Sequence, residues 1–283
     1  MGTQFSAAWG ALFFGLLSAA SWGTGDFCGG LASRQGRAHS VVMVAEFVGA
    51  LLLALLAWFT GEALPAWPIA LGAAGAGLVG LIGLLALYTG LAAGQMGLVA
   101  PLSAVIAALV PIVTALFLQG LPPLAQIAGF ALALIAVWLL AGTGEIQATR
   151  QQLGLALVAG LGFGFYFVLV EQVSREGVFW PLTIARTVAG LALLAVLVVR
   201  RAPVLPHRPA WTLAVVAGLF DAGGNLFFAL AAQSGRLDVA SVLSSLYPGM
   251  TVVLAWVVLN ERLNRPQIVG VVAALAAVVL IAL

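Results

Sequence analysis

The chain reads as an all-α membrane protein: ten transmembrane helices arranged as two inverted five-helix repeats around a central cavity. Three observations predict this. Of the 283 residues, 63% are hydrophobic and 7% charged, with a mean hydropathy of +1.17. Soluble domains carry roughly 25% charged residues, so a chain this poor in charge cannot cover a soluble surface. The apolar residues fall in runs of spanning length. The second half of the chain repeats the first.

A helix needs about 20 mostly apolar residues to cross hydrocarbon. Ten runs meet this: 8–32, 39–59, 67–93, 98–119, 123–141, 151–172, 179–199, 209–234, 237–259 and 266–283. The first run is too long for the apolar core of a signal peptide and follows no basic flank, so it reads as a true span. The longest polar connections, 142–151 and 200–209, are too short to fold alone. Any activity therefore resides in the spans.

The repeat is visible without gaps near the end of each half. "QIAGFALALIAVWLL" (126–140) and "QIVGVVAALAAVVLI" (267–281) share eight of 15 positions. Upstream, Ala11, Gly15 and Ala19 correspond to Ala156, Gly160 and Gly164, and Tyr88 corresponds to Phe227. The units are residues 1–142 and 151–283, joined by a linker at 143–150. Five spans are an odd number, so the second unit must enter the membrane from the opposite side. The arginines agree. Arg34, Arg37, Arg150, Arg200, Arg201, Arg208, Arg262 and Arg265 follow odd-numbered spans, against Arg175 and Arg236 after even-numbered ones. Positive charge collects on the cytoplasmic side. The eight-arginine side is therefore expected in the cytoplasm and both termini outside. Inverted repeats are a common build of secondary transporters, with the substrate held near the midplane where the repeats meet.

Polar groups at membrane depth are the candidates for function, because a charge at the bilayer centre costs roughly 2.5–3.5 kcal/mol on insertion scales. Asp221 and Asn225 stand one turn apart in the middle of the eighth span, beside Ala222, Gly223 and Gly224. They are read either as an interhelical hydrogen bond or as the wall of a watery cavity. Glu46 and Arg186 occupy near-equivalent repeat positions with opposite signs, so they suit an ion pair or the two poles of one site. Asp26 and Glu171 lie near the ends of their spans. Trp22, Tyr88, Tyr166 and Tyr247 are mid-span aromatics, and Ser244 belongs to a hydroxyl patch before Tyr247. Pro101 and Pro111 in span four and Pro248 in span nine are expected to break equivalent spans, as hinges or as part of the path.

Absences narrow the function class. No phosphate-cradling G-x-x-x-x-G-K-[ST] loop is present, which argues against an ATP-driven pump. His39 and His207 lie at a span start and in a loop, so no histidine is available at depth for an intramembrane hydrolase or a metal. Cys28 stands alone, and the net charge of +2 is no nucleic-acid signature. No enzyme activity, cofactor, metal or nucleic acid is expected. The expected partners are the bilayer and a small-molecule substrate, and the chain is read as a monomer.

Each unit ends in a Pro-containing helix, a tight turn and a Gly-bearing last helix, in the second unit Pro248, Asn260-Glu261-Arg262 and Gly270. This pattern resembles the EamA-type, ten-helix branch of the drug/metabolite transporter superfamily, and within it the YddG-type exporters of aromatic amino acids. The first unit departs in having Gly120 where Glu261 stands. The resemblance implies a basket in which helices 1, 3, 4, 6, 8 and 9 line the cavity, with Glu46 and Arg186 on flanking helices. It implies an exporter in a bacterial inner membrane, which would put both termini in the periplasm. A small zwitterion with an apolar side chain would place its amine near Asp221, with Trp22, Tyr88, Tyr166, Asn225, Ser244 and Tyr247 around it. Asp26, Glu46 and Arg186 would serve as an ion pair or in coupling. A multidrug or sugar transporter of the same superfamily, or a non-transporting membrane protein, are the alternatives.

Overall fold

The computed structural model describes residues 2–92, 96–140, 149–259 and 264–282. Most of the linker, at 143–148, and the Asn260-Glu261-Arg262 turn lie outside the described residues. The helices are α1 Gly2–Gln35, α2 Ala38–Thr60, α3 Trp67–Ala92, α4 Met96–Gln119, α5 Leu124–Leu140, α6 Arg150–Val173, α7 Phe179–Val199, α8 Trp211–Ser234, α9 Leu237–Ser244, α10 Tyr247–Leu259 and α11 Arg265–Ala282. A short 3-10 turn, Arg208–Ala210, leads into α8.

Helix starts follow local chemistry. Thr149 and Gln152 form a reciprocal capping box at α6, each side chain accepting from the other's amide. Asn264 and Gln267 do the same for α11. α7 has no local cap, because Val178 has no side-chain acceptor. Its cap comes from across the bundle. Gly61, at φ 68°, ends α2 in a left-handed turn, and Glu62 N–H bonds back to Ala57 O. That turn aims the Glu62 carboxylate at α7, where it accepts from the amides of Val178, Phe179 and Trp180 at 2.7–3.1 Å. Trp180 Nε1 donates to Glu62 O at 2.8 Å, closing the clamp.

The packing respects the internal repeat. α1 packs along α8 as α3 packs along α6; α2 meets α8 as α7 meets α3. α4 lies on α6 as α9 and α10 lie on α1, and α5 pairs with α11. Small residues set these contacts in matching pairs. A methyl on Gly77 would collide with Ala185 O, and one on Gly218 would fall 2.7 Å from Ala45 Cα. Likewise Gly15 rests on Leu243 and Gly160 on Ile106. Small residues let helix backbones approach in lipid, where apolar side chains gain little from leaving one apolar medium for another. Apolar residues such as Trp58, Phe117 and Val199 are exposed on the outer surface, as a lipid-facing surface requires.

The ends of the bundle sort as the arginines suggest. Beside the Glu62 clamp, Arg236 donates to Gln119 O and Gly120 O, and Gln126 Nε2 reaches Ile281 O. These join turns after even-numbered spans and the chain's last residues. At the other end Ser40 Oγ donates to Pro203 O and Gln267 Nε2 to Leu140 O.

Two expectations need correction. Ten spans were expected; among the described residues seven helices are long and apolar enough to cross a membrane. Over the described residues α5 and α11 run 17 and 18 residues, about 26 Å at 1.5 Å per residue. Second, α4 runs unbroken through Pro101 and Pro111. Pro101 lies early in the helix, and the Ala107 carbonyl that Pro111 leaves without its donor lies against Gly164 of α6. Span nine does break, at Ser245–Leu246, and Pro248 then occupies the first turn of α10, where no donor is needed.

Glu62→Ala removes the acceptor of three helix-start amides and should destabilise the protein by about 1–3 kcal/mol, seen as a lower thermal midpoint in detergent. An unchanged midpoint would contradict the clamp. In a Cys28→Ser background, Arg175→Cys and Arg201→Cys should react with an impermeant thiol reagent from opposite faces of sealed vesicles.

Candidate functional site

A cavity of about 570 Å³, its mouth included, lies where the two halves meet. One side of it is charged. Arg186 from α7 donates through Nη1 to Glu46 Oε2 of α2 at 3.4 Å and through Nη2 to Asp221 of α8. All three are buried. A guanidinium carries five donors in a fixed fork, so one arginine can serve two carboxylates on different helices. Here it ties one helix of the first half to two of the second. Asn225, one turn beyond Asp221, donates through Nδ2 to Asp221 O at 2.9 Å.

Asp26 of α1 lines the same cavity and is also buried. Among the described residues it forms no ion pair or hydrogen bond. The repeat makes the contrast plain. Its equivalent, Glu171, is neutralised one turn on by Arg175 at 3.0 Å, whereas the residue one turn beyond Asp26 is Gly30. Three acidic side chains and one guanidinium thus line the cavity.

The other side is aromatic. Trp22 stacks on Phe167 with centroids 5.2 Å apart and an interplanar angle of 17°. Phe167 in turn meets Phe228 at 4.6 Å, and Tyr166 stands edge-on to Phe167. Tyr166 and the Trp22 indole have no hydrogen-bond partner among the described residues and line the cavity, so both are donors available to a guest. Tyr247 also lines it, but its hydroxyl bonds Ser103 Oγ at 3.1 Å and donates to Ala100 O at 3.2 Å, tying α10 to α4.

Of the residues singled out from sequence, the cavity gathers Trp22, Asp26, Glu46, Tyr166, Arg186, Asp221, Asn225 and Tyr247. Tyr88 and Ser244 are not on its wall. Tyr88 is fully buried with its ring on Gly29 and its hydroxyl donating to Gly25 O at 3.4 Å; Ser244 Oγ is buried without a partner among the described residues. Pro101, Pro111 and Pro248 lie off the wall too. Glu46 and Arg186, expected on flanking helices, point inward and form the charged side. Asp221, expected free for an amine, is held by Arg186. Phe163 and Phe167 were missed. The repeat contained the signal for Phe167: the register that carries Ala19 onto Gly164 carries Trp22 onto Phe167. Among the described residues, no group of three His, Cys, Asp or Glu is placed to hold a metal.

Arg186→Met leaves two buried carboxylates without their cation and should destabilise the protein by about 3–5 kcal/mol. Adding Glu46→Gln and Asp221→Asn should restore most of that loss, because the three groups form one network. Thermal unfolding of the single and triple variants in detergent measures both. A triple variant no more stable than Arg186→Met would contradict the network.

Comparison with known proteins places the chain. An uncharacterized protein of Methanocaldococcus jannaschii is 24% identical over 131 residues, covering 46% of this chain and 94% of that protein. A crystal structure of a protein at 19% identity superposes with a TM-score of 0.72 over 95% of both chains, which shows a shared fold. Residues 9–142 and 152–283 each match the EamA-like transporter family. The chain therefore belongs to the EamA-like transporter family, and it is a multi-pass membrane transporter of small amphipathic solutes, not an enzyme.

Proposed function

We propose that the protein exports aromatic and other large apolar amino acids across a bacterial inner membrane by alternating access. The observation that carries this reading is one cavity with an aromatic wall opposite a surplus of carboxylates. The substrate's ammonium sits at Asp26, the carboxylate without a cation, with the Asp221 and Glu46 pair behind it. The side chain lies along Trp22 and Phe167, and the substrate carboxylate takes the Tyr166 hydroxyl and the Trp22 N–H. Arg186 holds the charged wall in place.

Residues 1–142 and 151–283 act as the two inverted units, rocking about the cavity, with Pro101 and Pro111 inside the continuous α4 and Pro248 after the break in span nine as hinges. The symmetric helix pairing, the two family matches and a relative spanned by less than half of this chain support that division. The arginine-rich end is the cytoplasmic one, which puts both termini in the periplasm; one copy of the chain suffices. A second reading, an exporter of amphipathic organic cations, is favoured by the unpaired Asp26.

Counterflow in proteoliposomes loaded with unlabelled amino acids tests the first reading. Labelled phenylalanine should accumulate only when the internal amino acid is aromatic or large and apolar. Absence of exchange with every amino acid, in folded protein, would sink it. Asp26→Asn should raise the half-saturating phenylalanine concentration about tenfold or more, the value of a charged hydrogen bond, while the thermal midpoint stays close to that of the parent.

A further inference from the structure

The rings on the cavity wall are seated on glycines of the facing helices. A methyl on Gly224 of α8 would collide with three ring atoms of Trp22. A methyl on Gly80 of α3 would fall 2.9 Å from the Tyr166 ring. Real side chains do not come this close, so any side chain at either position must move the ring. Neither ring can retreat into the protein. Trp22 has Phe167 stacked on it, and Phe167 has Phe228 behind it. Tyr166 is held edge-on by the same Phe167. The free direction is the cavity that both rings line.

We propose that Gly80 and Gly224 set the size of the side chain that the cavity accepts, by letting Tyr166 and Trp22 lie back against the backbones of α3 and α8. This rests on the amino-acid reading above only for the identity of the guest. With alanine at either position the ring advances and the aromatic subsite shrinks, while the carboxylate pole is untouched. One methyl group too many in a fitted pocket changes selection between guests by about ten- to two-hundredfold. Adding volume to a packed wall also strains it.

The test uses Gly80→Ala and Gly224→Ala in two measurements. In counterflow, the ratio of tryptophan to valine exchange should fall at least about tenfold in each variant. An equal loss of both substrates, or an unchanged ratio, would overturn the proposal. The second measurement needs no amino-acid substrate. In a Cys28→Ser background, Ala189→Cys places a thiol on the cavity wall. Gly80→Ala and Gly224→Ala should slow its reaction with a bulky aromatic maleimide about tenfold relative to a small methanethiosulfonate. Equal slowing of both reagents, or of neither, would overturn the size role. If the parent protein exchanges no amino acid, the substrate reading fails, and the two reagents still decide whether the glycines set the cavity's size.

Discussion

Burying Arg186 is the constraint on which the rest of the structure depends. A guanidinium is always charged, and in a bilayer interior it must be met by acceptors. Glu46 and Asp221 supply them from two other helices, so the arginine holds α2, α7 and α8 at one spacing. Those helices can close that near only because Gly218 lies on Ala45. Gly77 on Ala185 makes the matching contact between α3 and α7. The charged centre and the small-residue contacts are therefore two parts of one requirement: the cation demands proximity, and the glycines permit it.

The same arrangement leaves Asp26 as the odd group. In an otherwise symmetric frame, the first half keeps an acid where the second half pairs the equivalent acid with Arg175. The two halves differ here in side chains, and in the helix frame at the Ser245–Leu246 break, which α4 lacks. The aromatic side shows the opposite choice. Trp22 and Phe167 are repeat equivalents and stack on each other, so that wall is built from both halves at once.

Much of the fold was legible in the sequence, because a chain with 7% charge has few places to be. Apolar runs of spanning length, matched repeat positions and arginine placement all report on the same constraint, the absence of water. What was not legible depended on contacts between distant segments. Glu62 reads as one more loop acid until its left-handed turn aims it at α7. The prolines of α4 look like breaks because a proline removes a bond, yet the helix continues where a glycine of α6 covers the freed carbonyl. In the site, the residue types were legible and so was the pairing of Glu46 with Arg186, but the partner of Asp221 was not: spacing along a chain marks Asp221 as unusual but cannot say that an arginine 35 residues away holds it.

The central claim is that a surplus of carboxylate beside an aromatic wall recognises an ammonium on an apolar body. The most direct measurement is ligand-induced stabilisation of the purified protein, comparing phenylalanine, phenethylamine and 3-phenylpropionate by thermal unfolding. Phenylalanine and phenethylamine, which keep the ammonium, should raise the midpoint, and 3-phenylpropionate, which lacks it, should not. Equal or greater stabilisation by 3-phenylpropionate would contradict the account, because recognition would then not depend on the ammonium.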